Sequence, residues 1–290
     1  MQIRGRPSKY GLRRACWQLG KRGRMLGFLS LNLVGHWRCK EAIQRSRGVA
    51  ADPFKYLGDY LSLSMSTTAR LQALTGHYLR LGSLRYVSCW RDSIVLWELG
   101  QRETHGSLRI FLEPARLAPA EGELQLRFSS GCRNLFTLTF LFAPGDLFGC
   151  PADTVLFIGG AQGGVNCRIE MRQAAKGNGE ISPAAMLLLT VRALVKVLDI
   201  GQIFAVADED QVSKGYHSDE VKLDYNSFWS NAGGVRHGTF YKLLNERVEK
   251  PLNEIPITHR ARTQRKRERK ARIRETIEAR LQLLFVEERS

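Results

Sequence analysis

The strongest constraint on the fold is a change of hydrophobic period along the chain. Between Ile94 and Phe142 four segments are rich in β-branched and aromatic residues: Ile94–Leu99, Ser107–Leu112, Leu124–Phe128 and Leu135–Phe142. Several alternate apolar and polar side chains, and short Gly/Pro/Ser/Asn stretches such as Ser129-Ser130-Gly131-Cys132 separate them. This is the pattern of an antiparallel meander with one packed face. Thr154–Ile158 and Cys167–Met171 are expected to extend it. At Ser182-Pro183 the pattern turns helical, because Ser is a good N-cap and Pro at the first helical position lacks only a donor that a helix leaves unpaired. Ala184–Leu198 reads as a helix, Gly201 stops it, and Ile203–Ala207 reads as a short buried strand. Strand, loop, helix and strand of these lengths form a crossover, which predicts at least one parallel pair.

Helices flank this core. Residues 10–47 read as one or two basic amphipathic helices, with Leu26, Leu29, Leu33 and Trp37 as one buried face. Residues 54–86 read as helical, with Leu61, Leu71, Leu74, Tyr78 and Leu81 in the core, and a long helix starts near Thr258. The expected fold is α+β: a helical N-terminal region, a mainly antiparallel mixed sheet with one βαβ crossover, and a basic C-terminal helix. The segments are residues 1–53, a core of 54–257, and 258–290.

Charge separates the ends from the core. The chain carries +16, yet residues 1–47 hold 12 Lys/Arg against one acid, and residues 258–274 hold nine against one. Residues 48–257 hold 21 bases and 22 acids. The ends alone suit an anionic partner, either the anionic inner leaflet of a membrane or the phosphates of nucleic acid. Arg260, Arg262, Arg265, Lys266, Arg267, Arg269 and Lys270 are expected to form one exposed patch that binds an anionic surface. A basic helix packed by its apolar stripe and solvated elsewhere is the plain alternative. The apolar run Met25–Val34 is too short to span a bilayer and lacks a cleavage site, which points to a cytoplasmic protein, peripheral to the inner membrane at most.

Several runs in this order resemble the VirK/YbjX family of bacterial proteins: His77-Tyr78, Glu121-Gly122-Glu123-Leu124, Leu138-Thr139-Phe140 and Ile158–Gly163. The Pro183–Ala207 crossover, Asp224–Trp229, Gly233-Gly234, Gly238-Thr239-Phe240 and Ile255–Arg269 complete the set. The resemblance implies a link to virulence, envelope stress and survival of host antimicrobial peptides, and supplies no reaction. Family members carry Arg and Lys on either side of the crossover Pro, where Ser182 and Ala184 stand here. The order of elements is also similar to that of the GNAT acyltransferases, an analogy of topology. It implies a phosphate-bearing acyl donor such as acyl-CoA, or an aminoacyl-tRNA.

Three groups of residues are candidates for chemistry. The Lys176-Gly177-Asn178-Gly179 loop, placed after a strand and before a helix, offers free N–H groups and close backbone approach. Lys176, Gly177, Gly179 and Ser182 are therefore the candidate cofactor-binding residues; a surface turn is the alternative. Glu121 and Glu123, adjacent but one, share a face if they lie in a strand, and either is a candidate general base; the alternative is a turn at Glu121-Gly122 with Glu123 as a solvated strand start. Tyr225 is a candidate proton donor, although Phe228 and Trp229 beside it read as core anchors and Asp224 as a helix cap. Asp208-Glu209-Asp210 follows the crossover strand, where ligands gather in parallel sheets, or is a set of solvated loop acids. The six cysteines form no C-x-x-C pair and the histidines no H-x-x-x-H pair, a spacing that argues against a metal enzyme. Ser129-Ser130 lacks the G-x-S-x-G setting of a serine hydrolase.

Overall fold

In a computed structural model the described residues are 27, 32–46, 51–86, 92–100, 106–215, 223–246 and 249–287. The meander is present as β2 (Ile94–Leu99), β3 (Leu108–Pro114), β4 (Leu124–Ser130) and β5 (Arg133–Pro144), joined by antiparallel neighbours in sequence order. β6 (Thr154–Gly163) continues it antiparallel to β5. The crossover then brings β7 (Gln202–Val206) parallel to β6, pairing Leu156 with Ile203 and Ile158 with Ala205. β9 (Phe240–Leu243) and β8 (Gly234–His237) close the far edge, so the sheet order is β2-β3-β4-β5-β6-β7-β9-β8. A separate two-stranded ladder pairs β1 (Leu84–Tyr86) with β10 (Phe285–Glu287). The main sheet is thus single, mixed and mainly antiparallel, as the sequence predicts.

Burial explains why the central strands lack clean alternation. Every residue from Leu135 to Ala143 is buried, so both faces of β5 are covered. Helix α2 (Thr67–Ser83) packs on β5, capped by Ser66, which accepts from the Ala69 amide. Helix α4 (Pro183–Val197) packs on β4 and β5, capped by Ser182. The long helix α6 (Ile257–Leu284) lies against α4 and β2, burying Ile273, Ile277, Leu281 and Leu284. One hydrophobic cluster runs from Cys39 to Phe285 and takes in all of these elements.

Four expectations are corrected. Cys167–Met171 is not a strand: α3 (Arg168–Gly177) occupies that segment. The run Cys-Arg-Ile-Glu-Met alternates, but its buried positions are Cys167, Met171 in part, and Ala174, a helical spacing, while Ile169 is 69% exposed. Residues 54–66 are turns and a short 3-10 segment, so helix begins only at Thr67. Helix α1 (Leu33–Arg45) buries His36, Cys39 and Ala42 against α2, which leaves Leu33 and Trp37 exposed at 63% and 61%. Finally, β8 and β9 are extra strands joined through a turn at Gly238, whose φ of 59° favours glycine. The rest of the basic N-terminal segment, with Leu26 and Leu29, lies outside the described residues.

Candidate functional site

β6 and β7 pair only from Val155 to Ile158 on the β6 side, after which the two strands part. At that point β6 carries a bulge: Thr139 pairs with Gly160 and Phe140 with Ile158, so Gly159 is the extra residue. The chain before β4 crosses over this spot in close backbone contact. A Cβ at Gly122 would overlap the Phe140 backbone, one at Gly159 the Glu121 carbonyl, and one at Gly160 the Glu121 carboxylate. Gly122 and Gly159 therefore permit the close backbone crossing, and Gly160 leaves the room in which the Glu121 side chain lies, 1% exposed, on β6 just past the end of its parallel pairing.

Among the described residues, only neutral groups meet that carboxylate. Ser213 Oγ donates to Glu121 Oε1 at 2.7 Å, and Gln162 Nε2 donates at 3.0 and 3.1 Å to its two oxygens. Gln211 Nε2 lies 3.4 Å away and donates at 2.8 Å both to Ser213 Oγ and to the Tyr225 hydroxyl. Burial pushes the Glu121 carboxyl above its ordinary range, and the three neutral donors pull back only in part. Tyr225, the first residue of α5 (Tyr225–Asn231), is held in turn by β6: its O–H donates to Ala161 O at 2.9 Å and accepts from Ala161 N at 2.7 Å. Burial and the nearby Glu121 charge hold the Tyr225 hydroxyl far above the usual phenol range. Its hydroxyl thus fixes Gln211 rather than standing free. Trp229 anchors α5 by donating to Val206 O at 2.8 Å, and Asp224 caps the helix by accepting from Ser227 N.

Glu123 belongs to another cluster. Glu121 sits in a turn, its amide bonded to Ala118 O, so the two glutamates do not share a strand face. Lys55 Nζ donates to Glu123 Oε1 at 2.7 Å, Tyr60 OH donates to the same oxygen at 2.6 Å, and Tyr78 OH donates to Oε2. This carboxylate is 6% exposed but fully partnered by one cation and two phenols.

The Lys176–Gly179 loop does not follow a strand. Lys176 and Gly177 end α3, and the loop opens from the electronegative end of that helix toward α4. Asn178 is buried and accepts from Arg269 Nε and Nη2 at 3.2 and 3.1 Å. The Ser182 hydroxyl is engaged as the α4 cap, accepting from Ala185 N at 3.3 Å. The segment that does leave β6 for a helix start is Gly163–Asn166, followed by Cys167, which makes no side-chain cap bond. Asp210 is 8% exposed and accepts from Ser64 at 2.6 Å, whereas Glu209 is exposed.

The α6 cations are largely engaged by the protein itself. Arg262 Nε meets Glu180 at 2.6 Å, Arg267 and Lys270 share Glu249, and Arg260 donates to the Ile255 and Asn253 carbonyls. Together with Arg269 on Asn178, these contacts distribute the cations around the helix, and Arg265 is among the exposed ones. The acids that compensate them, Glu180, Glu246 and Glu249, come from separate segments, so no acidic run announces them in sequence. Among the described residues, Cys39, Cys132, Cys150 and Cys167 are free thiols, no group of three or more His, Cys, Asp and Glu side chains could hold a metal ion, and no helix is long and apolar enough to cross a membrane.

Glu121 and Tyr225, both candidates from sequence and 104 positions apart, meet in one network; Gln162, Gln211 and Ser213 join it without having been candidates. Gln162 lies in the Ile158–Gly163 run, whose paired glycines were the available signal. These features define an α+β protein with a buried carboxylate at the mouth of its one parallel strand pair among the described residues. The chain belongs to the family described as protein of unknown function (DUF535), whose model matches residues 28–279. No curated protein and no solved structure matches it.

Proposed function

We propose that the protein is a VirK/YbjX-type transferase that moves an acyl or aminoacyl group onto an amine or hydroxyl, with Glu121 as general base. The observation that carries this reading is a buried carboxylate whose partners among the described residues are all neutral, at the carboxyl ends of a parallel pair, where ligands of mixed sheets gather. A carboxyl raised above its ordinary range is a better base for such chemistry than an exposed one, because its proton affinity lies closer to working pH. The strand order, with its single described parallel pair behind a helical crossover, supports the analogy with the GNAT acyltransferases.

In the reaction the acceptor N–H or O–H gives its proton to Glu121 as the nitrogen or oxygen attacks the acyl carbonyl. The new C–N or C–O bond forms, the bond to the donor sulfur or oxygen breaks, and the leaving group takes the proton from Glu121. Ser213 and Gln162 hold the carboxylate in place; Tyr225 positions Gln211. The Gly163–Asn166 segment, rather than Lys176–Ser182, holds the chain position between strand and helix that suits a donor phosphate.

The test is release of free thiol from a panel of acyl-CoAs in the presence of primary amines, with deacylation of aminoacyl-tRNA as a second arm. Glu121→Gln is expected to lower kcat/KM by about 10²–10⁴-fold. Turnover at the wild-type rate by that variant, or no turnover of any donor in either arm, would sink the reading.

A further inference from the structure

A second site, remote from the Glu121 network in its lining residues, lies between α4 and α6. There the two helices leave a cleft of about 380 Å³, within the size range of small-molecule sites. On α4 it is lined by Ala185, Leu188, Leu189 and Arg192, and on α6 by Arg267, Lys270, Ala271 and Arg274. Both sets follow the i, i+3, i+4, i+7 spacing, so each helix gives the cleft a strip of about 10 Å along its axis. The floor is aliphatic, and small side chains at Ala185 and Ala271 keep the helices' facing surfaces open.

The rim is charged and unbalanced. Among the described residues, four cations line the cleft against two acids, Glu246 and Glu249, and Arg274 is also held by Glu278 just beyond the lining. Glu249 is shared by Arg267 and, at the long distance of 3.4 Å, by Lys270. It occupies the place that an external carboxylate or phosphate would take. Its side chain is 34% exposed, so solvent reaches and weakens the pair and a ligand anion competes for the same cations. An aliphatic floor under a net positive rim selects one chemistry.

We propose that this cleft binds a single-chain amphiphile, an aliphatic tail with a carboxylate or phosphate head. The tail lies along Leu188 and Leu189, and the head meets Lys270 and Arg267. This assigns a use to two of the basic positions on α6, Arg267 and Lys270, that differs from an exposed patch, and it is independent of the transferase reading. The proposal is tested by calorimetric titration of the full chain with decanoate, monodecyl phosphate and decanol. The two anions are expected to bind one to one, at least tenfold tighter than the alcohol, and to weaken as salt rises. Ala271→Trp, at an exposed position, is expected to weaken both anions at least tenfold without moving the melting temperature, while Ala271→Ser retains binding. Arg267→Gln with Lys270→Gln is expected to remove the preference for anions and leave decanol binding unchanged. Vesicles with and without phosphatidic acid separate the sources: competition by the anionic vesicles assigns the head to a membrane lipid, and its absence assigns it to a free acyl anion. Equal affinity for decanol and decanoate, or full affinity in Ala271→Trp, overturns the proposal.

Discussion

Glu121 and Glu123 stand two residues apart, are both nearly inaccessible, and live in opposite electrostatic surroundings. Glu123 has a cation and two phenols directed at its oxygens, so its charge is answered where it lies. Glu121 has a hydroxyl and two carboxamides, so among the described residues its charge is solvated but not neutralised. A buried charge that is paired serves the fold, and one that is left unpaired is maintained at a cost to the fold. The difference teaches where to look for chemistry: in the buried carboxylate that no described cation meets.

The largest test of that contrast is stability. Glu123→Ala leaves Lys55 without its counter-charge and two buried phenols without their acceptor, and is expected to cost about 3–5 kcal/mol in urea unfolding. Glu121→Gln removes an uncompensated charge and is expected to change stability by less than about 1 kcal/mol at neutral pH. If the two substitutions cost the same, the distinction between a structural and a functional glutamate is broken.

Tyr225→Phe tests the network's frame. Loss of the hydroxyl leaves the buried Ala161 carbonyl and Gln211 short of a partner, an expected cost of about 1–3 kcal/mol. Because Tyr225 acts through Gln211, the same variant is expected to lower turnover with its pH profile shifted rather than abolish it.

The pH dependence of stability sharpens the comparison further. Burial raises the folded-state pKa of Glu121 above the ordinary 4.5, so the native state holds this proton more tightly than the unfolded chain. Its contribution to stability is full below pH 4.5 and is lost as pH rises through the raised value. Glu121→Gln is therefore expected to flatten the fall in stability over that window, read from urea midpoints at successive pH. An unchanged slope would mean that Glu121 is not the group titrating there.

The smallest effects belong to α6. Arg262→Gln removes an exposed pair with Glu180 and is expected to cost less than about 1 kcal/mol. Changing all seven cations from Arg260 to Lys270 to Gln is expected to reduce co-sedimentation with anionic vesicles relative to wild type. Equal vesicle binding, or tighter salt-sensitive binding to RNA, would remove the membrane reading of this helix.

Much of the architecture was legible because local chemistry announced it. Ser182-Pro183 marked a helix start, and Ile203–Ala207 could only be a buried strand, so the parallel pair followed. α3 was not legible, since five alternating residues satisfy a strand and a helix equally, and only Ile169's exposure separates them. β8 is a four-residue edge strand with three exposed positions, and β9 beside it is only four residues long, too short for its alternation to stand out. At the site, the titratable members could be proposed from sequence, but the carboxamides of Gln162 and Gln211 carry no pattern; their role exists only once the chain crosses itself at Gly122, Gly159 and Gly160.

The ladder between β1 and β10 has a consequence for the order in which the molecule is made. Residues 84–86 leave the ribosome about two hundred positions ahead of residues 285–287, the strand they pair with. Until then, β1 has no strand to pair with, and β2 lacks the helix that covers it. Such late, distant pairing slows folding and exposes apolar surface during synthesis. A nascent chain halted before α6 is expected to carry its sheet half-covered, so the interval between making the meander and releasing the last strand is when this protein most needs a chaperone.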